Sequence, residues 1–202
     1  MATERSGRQD RAEARRERIL RATLEVIGEA GIAAVTHRAV AGRADVPLGS
    51  MTYYFASKDD LLRESLLLFV EEEVVRLHAL AESIVGSGLT VEQIAQAFAE
   101  ELASHAHAER VLTVAQFELY LESARNEALQ AAAARCFTAY EDVTEAALRA
   151  VGVEDPGATA LFVALSDGLA LRRLAAPGLV QPELRDGLLQ LIRSLPGAAA
   201  AD

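Results

Sequence analysis

Side chains suited to binding nucleic acid are concentrated in one short stretch of the sequence, residues 36–58. Hydroxyls and phenols in this stretch can bond base edges and phosphate oxygens, and an ammonium group and a guanidinium add positive charge. The stretch therefore predicts contacts with a nucleic-acid backbone and groove by ten residues: Thr36, His37, Arg38, Leu48, Gly49, Ser50, Thr52, Tyr53, Tyr54 and Lys58.

Two short helices joined by a tight turn are predicted to carry these side chains. Thr36 is a suitable N-cap for the first helix, and Asp45-Val46-Pro47 ends it. The second helix covers about 48–54, where helical spacing turns Met51 and Phe55 toward the core. This is a helix-turn-helix pattern, whose second helix enters the major groove of DNA.

Each residue also has a simpler explanation when it is taken alone. Tyr53 and Tyr54 would be half-buried packing residues, and Thr36 would be only a cap. Lys58 would be a solvated charge, although it is the only lysine in the chain. Their joint spacing favours DNA contact over these separate roles.

The stretch resembles the DNA-binding domain of the TetR (tetracycline-repressor-like) family of bacterial regulators. It departs from that family's pattern at Asp45, which replaces the turn glycine, at Thr52, which replaces the first tyrosine, and at Tyr54, which replaces the usual histidine. The residues that match the pattern in register are Thr36, Ala44, Val46, Gly49, Met51, Tyr53, Phe55, Ser57, Lys58, Leu61 and Leu62.

The resemblance implies an all-α, nine-helix fold and a homodimer. A DNA-binding head, residues 1–55, would bind a palindromic operator, and a body, residues 56–202, would dimerise and bind a small effector. Repression is the commoner mode in the family. The alternative is a small helical enzyme or ligand-binding protein whose helix-turn-helix-like segment is structural.

The charge distribution agrees with this division. The net charge is −10, but residues 1–60 hold 10 Lys and Arg against 9 Asp and Glu, whereas the remainder holds 10 against 21. The beginning of the chain forms a basic arm that leads into a first helix at about 11–30. The arm either follows the DNA backbone or minor groove or is a frayed, solvated terminus. Its arginines are Arg5, Arg8, Arg11, Arg15 and Arg16.

Catalytic, metal and membrane features are not predicted. Ser166-Asp167-Gly168 lacks the context of a nucleophile elbow. His105 and His107 are two residues apart on a predicted helix and point away from each other, so they do not form a metal pair. A single cysteine, Cys136, excludes an internal disulfide. Because no apolar run reaches about 18 residues, we expect a cytoplasmic protein without cofactors.

The body is predicted to contain the remaining helices. A long helix starts near Ser57, and after the linker 86–88, Thr90 and Gln93 form a capping-box pattern for a helix over about 90–106. Four further helices follow, and residues 197–202 are predicted to form a tail. Their approximate ranges are 108–124, 127–151, 156–176 and 182–195.

The last two predicted helices carry the candidate dimer interface. One has a stripe of small residues beside leucines, and the other has leucines on one face. The alternative is that either face is buried inside one subunit. The candidate interface residues are Ala160, Leu161, Ala164, Leu165, Gly168, Leu184, Leu188, Leu191 and Leu195.

Aromatic and polar residues of the body form the candidate site for a small, largely apolar effector. For any single aromatic residue, filling the core is the simpler role. The segment 116–122 is the best candidate for a pocket wall, and two carboxylates in a cavity would favour a cationic or hydroxylated ligand. The candidate residues are Phe69, His78, Phe98, His105, Phe117, Glu118, Tyr120, Glu122, Phe137, Tyr140 and Phe162.

Overall fold

The structure, a computed structural model, describes residues 2–84, 90, 92–93, 96, 100, 107–150, 152–176 and 181–194. These residues contain eight α-helices, a short 3₁₀ turn over Ile32–Ala34 and no β-strand, which confirms the all-α prediction. The helices are α1 Ala2–Ala30, α2 His37–Ala44, α3 Leu48–Tyr54, α4 Lys58–Ile84, α5 His107–Ser123, α6 Glu127–Ala150, α7 Pro156–Ala175 and α8 Gln181–Ser194.

The first helix begins at Ala2, so the predicted start at residue 11 is wrong and the basic arm is helical. Arginine, glutamate, glutamine and alanine all favour helix. Side-chain hydrogen bonds one turn apart add support, since Gln9 donates to Glu13 at 3.3 Å and Arg11 donates to the Gly7 carbonyl at 2.7 Å.

The capping box predicted at residue 90 is present. The backbone N–H of Gln93 donates to the Thr90 hydroxyl at 3.3 Å, and the Thr90 N–H donates to the Gln93 side chain at 2.8 Å. Glu92, Gln93, Gln96 and Glu100 are helical. The rest of that predicted helix, the linker 86–88 and the tail 197–202 lie outside the described residues.

The chain forms two compact units. The first contains Met1–Phe69 with Ala108–Ala134, and the second contains Val70–His107 with Arg135–Asp202. The core of the first unit consists of large, fully buried apolar side chains: Ile19, Leu20, Leu24, Ile27, Met51, Phe55, Leu61, Leu62, Leu66, Leu119 and Leu129. The functional division after residue 55 stays a prediction.

Inside the first unit, α5 packs directly on α1. A Cβ atom added to Gly28 would stand 2.0 Å from the carbonyl oxygen of Val111, so the two helix backbones touch there. The turn after α5 is also fixed, because the Asn126 amide donates to the Asp59 carboxylate at 2.8 Å. The helix-turn-helix segment therefore shares its compact unit with a helix distant in sequence.

The second unit has its own core, formed by α6, α7, α8 and the later part of α4. Val74 packs against Val143 and Ala147. Further buried side chains of this unit are Leu148, Val153, Ala158, Phe162, Val163, Leu188 and Ile192. None of the described helices is both long and apolar enough to cross a lipid bilayer.

Candidate nucleic-acid interface

The start of α2 is capped as the sequence predicts. Thr36 has extended backbone angles, and its hydroxyl accepts a hydrogen bond from the Ala39 N–H at 3.1 Å. The cap satisfies one of the free N–H groups of the first turn and fixes where the helix begins. His37, half-buried, and Arg38, exposed, follow directly in this first turn.

A left-handed residue makes the turn between α2 and α3. Asp45 has φ 52° and ψ 54°, which lie in the left-handed region. This is the predicted conformation, because Asp45 replaces the family's turn glycine and aspartate tolerates the left-handed region. The Val46 N–H then donates to the Ala41 carbonyl at 3.0 Å, and the Ser50 N–H donates to the Pro47 carbonyl at 2.8 Å. These bonds set the direction in which α3 leaves the turn.

The third helix has one buried face and one open face. Met51 and the following Phe55 are buried in the core of the first unit. Tyr53 is 80% exposed, Thr52 is exposed, and nothing lies within 4 Å of the position of a Cβ on Gly49. The open face is therefore free to approach a ligand as large as DNA.

The remaining predicted contacts of α3 lie at its edges. Leu48 is exposed, whereas Ser50 and Tyr54 are half-buried. The Tyr54 ring stands edge-on to the Tyr53 ring, with centroids 5.0 Å apart. This contact orients the exposed Tyr53 phenol.

Lys58 begins α4 and is tied to the 3₁₀ turn. Its ammonium donates to the Ile32 carbonyl at 2.8 Å, while the Ser57 hydroxyl caps the helix by accepting from the Asp60 N–H at 3.0 Å. An ammonium has three donors, so two remain for a phosphate. The contact with Ile32 was not predicted from the sequence.

Two arginines of the first unit are used to join helices. Arg43 on α2 reaches Glu29 at 3.0 Å and Glu25 at 3.2 Å on α1. The hydrogen bonds to Glu29 and then to Glu25 raise the pKa of Arg43 above its ordinary value. Arg16 on α1 pairs with Glu64 on α4 at 2.5 Å. Because Arg43 and Arg16 are paired with carboxylates, we do not include them among the side chains that would bind DNA phosphates.

The candidate effector residues are divided between the two units. In the first unit, Phe69 is buried, Phe117 and Tyr120 are in edge-on contact at 6.4 Å, and Glu118 and Glu122 are half-buried. In the second unit, Phe162 is buried, Tyr140 is half-buried, and Phe137 and His78 are exposed. Phe98 and His105 lie outside the described residues. The effector site stays a prediction.

The candidate dimer residues differ in their burial within one chain. On α7, Ala160, Leu161, Ala164 and Gly168 are exposed and Leu165 is half-buried. On α8, Leu188 is 1% exposed inside the subunit, and Leu191 is half-buried. The Leu184 side chain and Leu195 lie outside the described residues. The exposed face of α7 is therefore the stronger interface candidate.

One half-buried acid in the second unit was not predicted from the sequence. Asp167 lies on α7, and burial raises its pKa from 3.8 to about 6. Helical periodicity around 160–168 gave no sign of this burial. Among the described residues, no group of three or more His, Cys, Asp or Glu is arranged to hold a metal ion.

Two family profiles match the chain. Residues 19–65 match the profile described as bacterial regulatory proteins of the tetR family. Residues 89–197, more than half of the chain, match the tetracyclin repressor-like C-terminal domain. The two matches cover the helix-turn-helix segment and most of the second unit.

Curated relatives match over a shorter segment. The HTH-type transcriptional repressor KstR of Mycolicibacterium smegmatis is 52% identical over 52 residues, 26% of this chain and 26% of that protein. KstR of Mycobacterium tuberculosis is 50% identical over 52 residues, 26% of this chain and 24% of that protein. The chain thus matches about a quarter of the length of these relatives.

Solved structures match nearly the whole chain. The multidrug binding protein EbrR complexed with imidazole is 31% identical, with a TM-score of 0.69 over 93% of this chain and 98% of that one. Its ethidium complex has a TM-score of 0.68 at 31% identity, over 88% and 97%. A TetR-family member from Streptomyces coelicolor A3 has a TM-score of 0.72 at 31% identity, over 90% and 98%. These matches, together with the geometry of α2 and α3, show that the chain belongs to the TetR family of bacterial transcriptional regulators.

Proposed function

We propose that the chain is a repressor that binds a palindromic operator as a homodimer and is released by a small effector. The observation that supports DNA binding most directly is the open face of α3. Gly49, Thr52 and Tyr53 are exposed there, while Met51 on the opposite face is anchored in the core. Thr36, His37 and Arg38 at the start of α2, and Lys58 at the start of α4, would add phosphate contacts on either side.

Dimerisation would set the spacing of the two recognition helices. Two copies of α3 must stand about 34–36 Å apart, or a multiple of that, to enter successive major grooves. A two-fold dimer through the exposed face of α7 would match the symmetry of a palindrome. An effector that shifts α4, which begins at Lys58 and continues into the second unit, would change this spacing and release the operator.

We infer that the effector is a hydrophobic cation. EbrR is complexed with ethidium, proflavin and malachite green, which are aromatic cations. In this chain the half-buried Glu118 and Glu122 lie one turn apart on α5, and the same helix carries the Phe117–Tyr120 ring pair. Carboxylates attract such cations through charge, and aromatic rings attract them through cation–π contact.

The proposal includes no catalytic step, and the protein would act in the cytoplasm, where its operator lies. Membership of a family of regulators favours this proposal over the alternative of a small helical enzyme or ligand-binding protein. In that alternative the helix-turn-helix-like segment is structural, and the open face of α3 would have no partner.

The test of DNA binding is fluorescence anisotropy with duplexes from the DNA that flanks the gene. Wild type should bind a palindrome with an affinity that falls steeply as salt rises. Lys58→Ala and Tyr53→Phe should weaken binding to all sequences, whereas Arg149→Gln, a control that breaks an exposed ion pair on α6, should not. Salt-independent binding, or an unchanged Lys58→Ala affinity, would refute the assignment.

The test of the effector is a thermal-shift and release assay. Malachite green should raise the melting temperature, since selective binding stabilises the folded state, and should free the labelled operator at concentrations that leave the signal of the duplex alone unchanged. An aromatic carboxylate of similar size serves as the matched anion. Equal responses to cation and anion, or a Glu118→Gln variant that responds to the cation as strongly as wild type does, would contradict a carboxylate-lined site.

A further inference from the structure

The first helix carries arginines that are not committed to carboxylates. Arg16 and Arg21 on this helix are ion-paired, with Glu64 and Glu17. By contrast, Arg15 and Arg18 are exposed and make no ion pair within the part of the chain that the structure describes. An exposed, unpaired guanidinium is free to bind an external anion.

These two arginines share one face of α1 with Arg11, whose Nε donates to the Gly7 carbonyl. Arg11, Arg18 and Glu25 recur every seven residues, which is close to two helical turns, and Arg15 lies one turn from both arginines. Together the arginines border a shallow groove along the helix. Glu17 and Arg21, which are paired with each other, line the same groove, whereas Asp10 and Glu13 fall on a different face.

The same face of α1 leads to the helix-turn-helix. Glu25, in line with Arg11 and Arg18, bonds Arg43 on α2. The face of α1 that α2 covers near residue 25 is therefore the same face that carries Arg18 two turns earlier and Arg11 four turns earlier. Because α1 is a single helix over Ala2–Ala30, the arginines are held in a fixed direction relative to α2.

We propose that the arginine stripe of Arg11, Arg15 and Arg18 binds the phosphate backbone of DNA just outside the half-site contacted by α3. This inference rests on the proposed function and extends its footprint. The stripe is about 10 Å long at 1.5 Å per residue, which matches about three phosphates of one strand at 3.4 Å each. A helix about 10 Å wide does not fit a minor groove about 6 Å wide, so the contacts are to phosphates.

The test compares two duplexes that contain the same operator. The long duplex extends about one helical turn, about 10 base pairs, beyond each half-site, and the short duplex ends at the half-sites. Arg15→Gln/Arg18→Gln should lower the salt slope on the long duplex by about one per arginine in each subunit, with at least ten-fold weaker binding. On the short duplex, variant and wild type should bind equally.

Arg149→Gln/Arg185→Gln is the charge-matched control, because it removes two exposed arginines of the second unit that are paired with Glu145 and Asp186. Circular dichroism should show the same melting for all three proteins. An unchanged slope on the long duplex, or equal losses on both duplexes, would overturn the flanking contact while leaving the proposed function intact. Wild type that binds neither duplex would overturn the proposed function itself.

Discussion

Gly28 on α1 and Val111 on α5 touch through their backbones, at a distance that leaves no room for a side chain on the glycine. The contact joins the helix that supports α2 to a helix more than eighty residues later. A methyl group at position 28 would meet a carbonyl oxygen, which cannot rotate away as a flexible side chain would.

Gly28→Ala should therefore destabilise the first unit by about 1–3 kcal/mol, the usual cost of overpacking. Gly42→Ala on α2 is the matched control, since nothing lies within 4 Å of its Cβ position. Removing a helical glycine there should be neutral or stabilising by about 0.5–1 kcal/mol. Urea unfolding measures both, and equal effects would contradict the close contact.

The left-handed conformation of Asp45 predicts a difference in stability between two variants. Asp45→Val should lower the free energy of unfolding by about 1–2 kcal/mol, because a β-branched side chain at positive φ is strained. Asp45→Gly should lose less than Asp45→Val, since glycine adopts this region freely. Both substitutions remove the same exposed carboxylate. If the two variants unfold at the same urea concentration, backbone strain does not govern this position.

Asp167 predicts a pH dependence of stability. Its pKa is raised by burial to about 6 in the folded chain, above its ordinary 3.8. Between about pH 4 and 6 the folded state thus binds more protons than the unfolded state, so the free energy of unfolding falls as pH rises through this window and is level above it. Asp167→Asn should remove that decline, whereas Asp142→Asn, at an exposed site on α6, should follow wild type.

Two leucines distinguish the proposed dimer interface from the core of the second unit. Leu161 is 51% exposed in one chain and Leu188 is 1% exposed. Leu161→Glu should give a folded monomer that has lost most of its operator affinity, because only the intersubunit contact is removed. Leu188→Glu should instead unfold the second unit, since it buries an unpaired charge. Sedimentation velocity and circular dichroism distinguish these results, and a dimeric Leu161→Glu chain would exclude the α7 face.

The features that sequence predicted well are local. The Thr36 cap, the Asp45 turn and the Thr90–Gln93 capping box depend on neighbours within a few residues, and each is confirmed. The Gly28–Val111 contact and the Lys58–Ile32 bond depend on how distant segments pack, which periodicity does not encode.

The dependence on long-range packing also limits what the sequence predicts about the helix faces. The leucine stripe of α8 predicts either a dimer interface or burial inside one subunit, and only packing decides between the two. For Leu188 the cover is the same chain. The predicted start of α1 near residue 11 is wrong because the helix propensity of the preceding residues outweighs the repulsion among their charges.

Lys58 carries the single ε-amine of this sequence, and that amine lies at the proposed DNA surface beside the Ile32 carbonyl. An amine-selective acylating reagent therefore has one lysine side chain to modify, and the rate at which Lys58 reacts becomes a chemical footprint of the interface. Bound operator would shield the amine and slow the labelling, and an effector that releases the operator would restore it. The protein thus contains an intrinsic reporter of its own occupancy, without an engineered probe.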